Sequence, residues 1–480
     1  MSSTKGEAAI IKEKRMMFDD IAWERSDNIF DTWKEKLFND DTFRRIGKMI
    51  IKHRQGPADE LFPPRRGAFN LVFRMKFLDG GSAIIRFPNP GYSVFPEEKV
   101  QREVSVMRFI EHHTSIPIPH VLHHGTVEQS PAELGPFIIM EWIENDSDLV
   151  DAINTPGLTG DDPPILDPNV PPDRLRSAYS QMADILLQLA RHSFTEIGCI
   201  SNISDDEFDD KWTVTHRPLS LNMNELVQLG NFPRHLLPQH TFKTASSYFL
   251  ALAEMHMVHL STQRNDAIES REDCRRKYIA RCLFRKLARE NRLCRLDNGS
   301  FKLFCDDLRP ANVLTNSQYD FKVVGVIDWE FTYAAPAEFV YSPPSWLLLE
   351  RPEYWSQGLD DWTEVYEKRL AVFLQELQNQ EQLAIGRGRL NEENRLSSFM
   401  KESWESGDFW VTYAARRSWT FDMIYWAKID RRFFGEGDLE DRFKLLTSEE
   451  KAGIDDFVQR KLAEKEERTL NDWGPGEEAV

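Results

Sequence analysis

The chain of 480 residues and 56.0 kDa has room for two large lobes. Its 41% hydrophobic and 29% charged content excludes a disordered, collagenous or disulfide-dense protein. Lys+Arg 60 against Asp+Glu 78 leave a net charge of −18, which argues against a general nucleic-acid coat or a polybasic membrane binder and would suit a cationic partner. The cysteines, Cys199, Cys274, Cys282, Cys294 and Cys305, are scattered with no Cys-x-x-Cys pair, so reduced thiols in a cytoplasmic compartment fit better than a disulfide framework or a zinc site. The first residues lack the apolar stretch of a secretory signal, and no later run approaches the ~18 apolar residues of a spanning helix.

Residues 16 to 53 place Met16, Phe18, Ile21, Trp23, Ile29, Phe30, Trp33, Leu37, Phe43, Ile46, Met49 and Ile50 at helical spacings. From Gly67 the pattern changes: AFNLVFRMKF and SAIIRF, joined through Leu78-Asp79-Gly80-Gly81, predict a hairpin. Pro88 to Pro96 reads as a loop. Glu97 to His113 then carries Val100, Val104, Met107 and Ile110 on one helical face. Ile116-Pro-Ile-Pro is extended because each proline restricts its predecessor, and Gly135-Pro-Phe-Ile-Ile-Met-Glu-Trp-Ile predicts a buried strand. A loop from Gly157 to Pro172 precedes a helical lobe, with periodic apolar positions at Tyr179 to Leu189, 242 to 290, 361 to 379 and 443 to 468. A single β-like island, Phe301 to Phe331, is expected within that lobe, and no fixed-period repeat is present.

The island places polar residues in apolar surroundings: Asp307 in CDDLRPANVL, Asn312 five residues later, and Asp328 closing VVGVIDWEF. Two acids and an amide at the ends of neighbouring strands can converge on one hard cation and one hydroxyl, which is what phosphoryl transfer requires. One carboxylate orients and deprotonates the attacking hydroxyl, while the other oxygen ligands hold magnesium against the nucleotide phosphates. An Asx-turn is the structural alternative for the Asp-Asn spacing. The apolar anchors of Asp-Leu-x-Pro-x-Asn-Val-Leu and the following strand ending in Ile-Asp-Trp-Glu favour the functional reading.

Asp307-Leu-Arg-Pro-Ala-Asn312 followed by Ile327-Asp-Trp-Glu330 resembles the catalytic loop and metal-binding motif of the aminoglycoside phosphotransferase family, the kinase-like small-molecule phosphotransferases. The resemblance runs from about Phe18 to Tyr341 and is nearest to that family's fungal branch, through Gly67-Ala-Phe-Asn70, Arg86-Phe-Pro88, Glu103, Ile116-Pro-Ile-Pro119 and Gly135-Pro-Phe-Ile-Ile-Met-Glu141. It implies ATP and Mg2+ as cofactors, with Asp307 the catalytic carboxylate and Asn312 and Asp328 the magnesium ligands. Gly67, Ala68, Phe69 and Asn70 would form the nucleotide loop, Arg86 and Glu103 the ion pair at the α- and β-phosphates, and Phe137 to Ile143, including Met140 and Glu141, the adenine segment. Arg86 stands where the family's usual strand lysine stands, Cys305-Asp306 where His-Gly usually precedes the catalytic Asp, and Arg309 where a His usually follows the Leu. Asp306 therefore brings an extra carboxylate beside the expected site.

The resemblance implies an α+β, protein-kinase-like two-lobed fold, with a small N-terminal β-sheet lobe and a larger, mainly helical C-terminal lobe. The expected division is a helical extension over 1–55, the N-lobe over 56–145, and the C-lobe over 146–480 with its catalytic loop at 305–331. The expected function is transfer of the ATP γ-phosphoryl group to a hydroxyl of a small molecule, with a cationic acceptor compatible with the acidic balance. The alternatives are a catalytically silent kinase-fold binding protein and, ranked lower, a protein kinase. Glu330 could add a carboxylate near the metal if its strand continues. The acidic stretch Ser204 to Asp210, the tryptophans Trp346, Trp355, Trp362, Trp404, Trp410, Trp419 and Trp426, and His256 are read as solvated loop, packing and core. Cys305, beside two acids, is not expected to be a nucleophile.

Overall fold

In the computed structural model, which describes residues 19–158, 162–204, 210–317, 321–471 and 473, the helical stretch near the start is two helices. Asp19 accepts from the amides of Ile21 and Ala22 to begin α1 (Asp20–Leu37), and Asn39 does the same from Asp41 for α2 (Asp40–Arg54). Met16 and Phe18 of the predicted pattern lie outside the described residues.

An antiparallel sheet follows: β1 (Ala58–Leu61), β2 (Arg65–Arg66), β3 (Asn70–Phe77), β4 (Ser82–Pro88), β5 (Val121–Gly125) and β6 (Phe137–Glu141). The spatial order is β1-β3-β4-β6-β5, with β2 also on β3. The predicted hairpin is β3–β4, and its turn needs Gly80, whose φ is +90°. Arg86 faces Val72 on one neighbour and Ile138 on the other, which sets it in the middle of the sheet. Side-chain alternation along β6 divides the core in two. Phe137 and Ile139 pack with Phe30, Trp33, Ile46 and Ile50 of α1 and α2. Ile138 and Met140 face α3 (Pro96–His113) through Val100, Val104, Met107 and Ile110. Fully buried rings such as Phe73, Phe87 and Phe137 each contribute about 2–3 kcal/mol of hydrophobic stabilisation to this small lobe.

The larger lobe is helical, with α4 (Pro172–Ala190), α5 (Leu221–Leu229), α6 (Ala245–Thr262), α7 (Arg271–Arg289) and the long α8 (Leu359–Gly386) as its main members. It contains more strand than the single predicted island. β7 (Ser147–Asp148) and β8 (Ser193–Phe194) are two-residue strands, and β9 (Cys199–Asn202) pairs with β10 (Trp212–His216) as a hairpin. Each is too short to display a period, and the acidic stretch between β9 and β10, whose residues 205–209 lie outside the described set, masked their alternation. The island itself is not one hairpin. β11 (Phe301–Cys305) pairs with β14 (Thr332–Ala335) and β8, whereas β12 (Val313–Thr315) pairs with β13 (Val323–Val326) and β7.

The tryptophans pack. Trp362 stacks on Tyr366 at 4.4 Å between ring centroids, and Trp404 and Trp410 continue the cluster. His256 is a core residue with its Nδ1 3.0 Å from the Ser418 hydroxyl, and burial pushes it down to about 3. No helix among the described residues is long and apolar enough to cross a membrane.

Candidate active site

Two segments from the separate small sheets of the helical lobe are stitched together. Beyond β11 the chain passes Asp306 and Asp307 and tightens into a 3-10 turn, Pro310–Asn312, that leads into β12. Beyond β13 the amide of Ile327 donates to the carbonyl of Asn312 at 2.9 Å, which brings the start of the Ile-Asp-Trp-Glu segment against the turn. The Asn312 amide nitrogen donates to the Asp307 carbonyl at 2.8 Å and to its carboxylate at 3.3 Å, and the Arg309 guanidinium lies 3.1 Å from that carboxylate. The Asx-like bond and the site geometry are therefore the same feature. Asp328 adopts φ +58° and Phe331 φ +59°, so the strand ends at Val326 and the segment curls. A left-handed aspartate is uncommon and turns its side chain toward the other lobe.

There Asp328 meets Arg86, at 2.8 Å. Arg86 also pairs with Glu103, and four residues earlier on the same face of α3 Lys99 pairs with Glu330. Lys99 and Glu330 are only 2% and 3% exposed, so this is a wholly interior ion pair. Asn70 completes the network by accepting from Lys99 at 2.6 Å and donating to Glu330 at 3.0 Å. Burial lifts the Asp328 carboxyl above its ordinary range despite Arg86. Burial also pushes Glu330 upward, but Lys99 and Arg86 together outweigh it and keep that carboxylate below its ordinary range. Glu330 is thus engaged by a lysine and by the Asn70 amide while lining the same cleft as Asp328.

The Gly67–Asn70 turn closes over this network. Its Gly67 amide donates to the Asn70 carbonyl at 2.7 Å, and the buried Asn89 side chain donates to the carbonyls of Gly67 and Ala68 at 3.0 and 3.3 Å. Phe69 meets Phe331 edge to face at 5.7 Å, so the turn from one lobe touches the curled segment of the other.

A cleft of about 960 Å³ lies between the lobes, and every predicted site residue lines it: Gly67, Ala68, Phe69, Asn70, Arg86, Glu103, Met140, Glu141, Asp307, Asn312 and Asp328. Asp306 does not. Its buried carboxylate accepts from the Leu221 amide at the start of α5 at 3.2 Å and lies 3.6 Å from Arg416, so the extra acid beside the site is turned into the helical lobe. Cys305 is buried, and burial pushes its thiol far above the ordinary value. Sequence reasoning missed Lys99, Asn89, Glu225 and Arg351. Lys99 had a legible signal, a lysine one helical turn before Glu103 among apolar positions; Glu225 and Arg351 belong to no motif and reach the cleft only through the tertiary fold.

Residues 61–339 match the sequence model of the phosphotransferase enzyme family. The chain belongs to that family. The family match takes in β3 to β14 and every cleft residue named above except Arg351; α1, α2 and the helices after Phe339 are additions to it. The comparison with curated proteins found no match. Among solved structures, a thermostable aminoglycoside phosphotransferase in ternary complex with AMP-PNP and hygromycin B is 14% identical, with 86% of this chain and 97% of that one covered and a TM-score of 0.39. An ethanolamine kinase of Plasmodium vivax is 12% identical over 92% and 94% of the two chains, with a TM-score of 0.42. A macrolide 2'-phosphotransferase type I is 13% identical over 88% and 96%, with a TM-score of 0.38. As a family member, the chain is a small-molecule phosphotransferase.

Proposed function

We propose that the protein transfers the γ-phosphoryl group of ATP, with Mg2+, to a hydroxyl of a small molecule bound in the cleft. The observation that carries this reading is the convergence of Asp307, Asn312 and Asp328, from two loops, on one cleft that Arg86 and the Gly67–Asn70 turn enter from the other lobe. The residues fit a hard cation. The Asn312 amide nitrogen is spent on Asp307, which leaves the amide oxygen available, and Asp328 engages Arg86 through one carboxylate oxygen, which leaves the second. Among the described residues no three His, Cys, Asp or Glu side chains gather into a metal-holding group, so the remaining ligands would come from phosphate and water.

In this reading Asp307 accepts a hydrogen bond from the acceptor hydroxyl and takes its proton as the oxygen bonds to the γ-phosphorus. The bond to the β–γ bridging oxygen breaks, and ADP leaves with that electron pair. Asn312 and Asp328 would hold Mg2+, which would supply neutralisation of charge on the phosphate oxygens. Arg86 adds a fixed cation at the same place, and Glu103 fixes its orientation. The Gly67–Asn70 turn, held down by Asn89, offers backbone amides to phosphate oxygens. Met140 and Glu141 would face the base; the amide of Ile143, just beyond them, makes no hydrogen bond among the described residues and is free to donate to it. The division at residues 56 and 146 and a cytoplasmic location, supported by five free thiols, belong to the same reading.

Thermal shift with ATP and magnesium, on the wild type and on Asp328→Ala, tests it. A rise in Tm for the wild type that is lost in the variant is expected, because a ligand that binds only the native state stabilises it by mass action. No rise in either at millimolar nucleotide overturns it.

A further inference from the structure

Beside the cleft lies a second, largely apolar cavity of about 340 Å³, an annex to it. The two meet at shared walls: Arg66, Gly67, Ala68 and Phe69 on the side of the turn, and Glu225 of α5 on the other. Beyond those walls the annex is lined by Trp23 of α1, Tyr92 from the loop after β4, and Gln228 and Leu229 of α5. Trp23 precedes the start of the family match at residue 61, so the helical extension adds this part of the wall.

Helix α5 connects the annex to the transfer site. Leu221, Glu225 and Gln228 are its first, fifth and eighth residues, a spacing that sets them on one face. Leu221 lines the cleft, and its amide donates to Asp306, the neighbour of Asp307. Glu225 lines both cavities, and Gln228 lines the annex. At the helical rise per residue this stripe covers about 10 Å from the Asp307 end to the annex.

The aromatic wall is fixed before any ligand arrives. Trp23 and Tyr92 meet edge to face at 5.6 Å between ring centroids, the Tyr92 hydroxyl donates to Asp27, and the Arg66 guanidinium lies 4.6 Å over the Tyr92 ring. Phe69 is held in turn by Phe331. Such a wall suits a further ring, which gains from packing at little cost in ordering. Gln228 adds a polar group. It is 8% exposed, its amide nitrogen is buried without a partner, and its side chain makes no hydrogen bond among the described residues. An unpaired buried amide costs stability, and this one can turn its nitrogen or its oxygen to a ligand without breaking a bond. Gln228 also borders a cavity of about 380 Å³, but that cavity shares no lining residue with the cleft, so the annex is the space that continues from the transfer site.

We propose that the acceptor is an alcohol carrying an aromatic ring with a hydrogen-bonding substituent. Its aliphatic hydroxyl lies at Asp307, its ring enters the annex against Trp23, Phe69 and Tyr92, and its substituent pairs with Gln228. This rests on the reading of Asp307 as the transfer site and adds the class of molecule transferred to, with Trp23 and Gln228 as the residues that select it.

The test is calorimetric titration of the full chain, saturated with a non-hydrolysable ATP analogue and magnesium. The probes are 4-hydroxyphenyl alkanols with chains of two to five carbons, the phenyl alkanols of the same chain lengths, and the plain alkanols. At the chain length that spans the stripe, the phenyl alkanol should bind about tenfold or more tighter than the plain alkanol, and the 4-hydroxyphenyl compound about threefold or more tighter again. Trp23→Ala should remove most of the gain from the ring, and Trp23→Phe should keep most of it. Gln228→Met, which preserves length without the amide, should remove only the gain from the phenolic hydroxyl. The nucleotide Kd should be unchanged in all three. Nucleotide binding without a ring preference, or a ring preference indifferent to Trp23→Ala, overturns the inference while leaving the phosphotransferase reading in place. A ring preference with no gain from the phenolic hydroxyl overturns the part given to Gln228. Failure to bind nucleotide overturns both readings.

Discussion

Lys99 and Glu103 stand one helical turn apart on the same buried face of α3 and carry opposite charges toward the cleft, where each meets a partner of the other sign. Helix geometry supplies the spacing, since positions four apart share a face. The outcome is that one helix fixes both the β4 arginine and the segment after Asp328. Interior ion pairs gain little over apolar packing, but removing one member leaves a buried charge uncompensated. Lys99→Met should therefore destabilise the protein by about 3–5 kcal/mol, and adding Glu330→Gln should restore a large part of that loss. Denaturant midpoints of the two single variants and the double variant measure the coupling. Equal loss in Lys99→Met and the double variant would show that the lysine acts through packing alone.

Asp307→Asn separates chemistry from binding. The amide keeps the shape and its contact to Asn312, but it cannot take the hydroxyl proton. The expected outcome is a fall in kcat of about 10²–10⁴, the usual contribution of a positioned general base, with little change in KM for nucleotide. The Mg-ATP thermal shift should persist. Steady-state kinetics with an accepted hydroxyl compound, alongside the shift, make the comparison, and undiminished turnover would remove Asp307 from the proposed role.

What could be read from the sequence follows what is local. The β3–β4 hairpin and α3 were legible because period and turn chemistry are properties of adjacent residues, and Asp307, Asn312 and Asp328 stood out as acids and an amide amid apolar runs. The family resemblance extended this to Arg86 and Gly67–Asn70. Orientation was not legible. Asp306 and Asp307 are neighbours, yet one reaches the cleft while the other joins Arg416 and the start of α5, a difference fixed by backbone direction after β11. Glu330 could not be assigned to Lys99 because the pairing spans more than two hundred residues and depends on the left-handed turn at Asp328. Glu225 and Arg351 carry no motif at all; they share a cleft only once α5 and the chain after β14 have packed.

Arg86→Lys distinguishes a bridging cation from a point charge. The guanidinium uses two nitrogens, one toward Glu103 and one toward Asp328, so that it ties α3 to the opposite lobe. A lysine amine has one nitrogen and a different reach, so it can serve one carboxylate well but not both. We expect Arg86→Lys to fold, to lose less stability than Arg86→Met, and to raise the nucleotide KM more than it lowers kcat. Thermal denaturation and nucleotide titration on the two variants give the comparison; identical KM in wild type and Arg86→Lys would show that bridging is dispensable.

The pH dependence of stability isolates Glu225. The charges acting on it are Arg351 and Arg417, which favour ionisation, and Asp306 and Asp307, which oppose it; burial exceeds them all and raises the group from 4.5 to about 7. A raised folded-state pKa means that the native protein binds the proton more tightly than the unfolded chain does. The stabilisation is therefore full below about pH 4.5, declines as pH rises, and is gone above about 7. Glu225→Gln, a neutral isostere, lacks this term. Wild type should lose on the order of 2–3 kcal/mol relative to the variant between about pH 5 and 8. Paired denaturant curves across that range measure the difference. A flat difference would mean that burial does not hold the Glu225 carboxyl above its unfolded-state value, the cations Arg351 and Arg417 offsetting it in full.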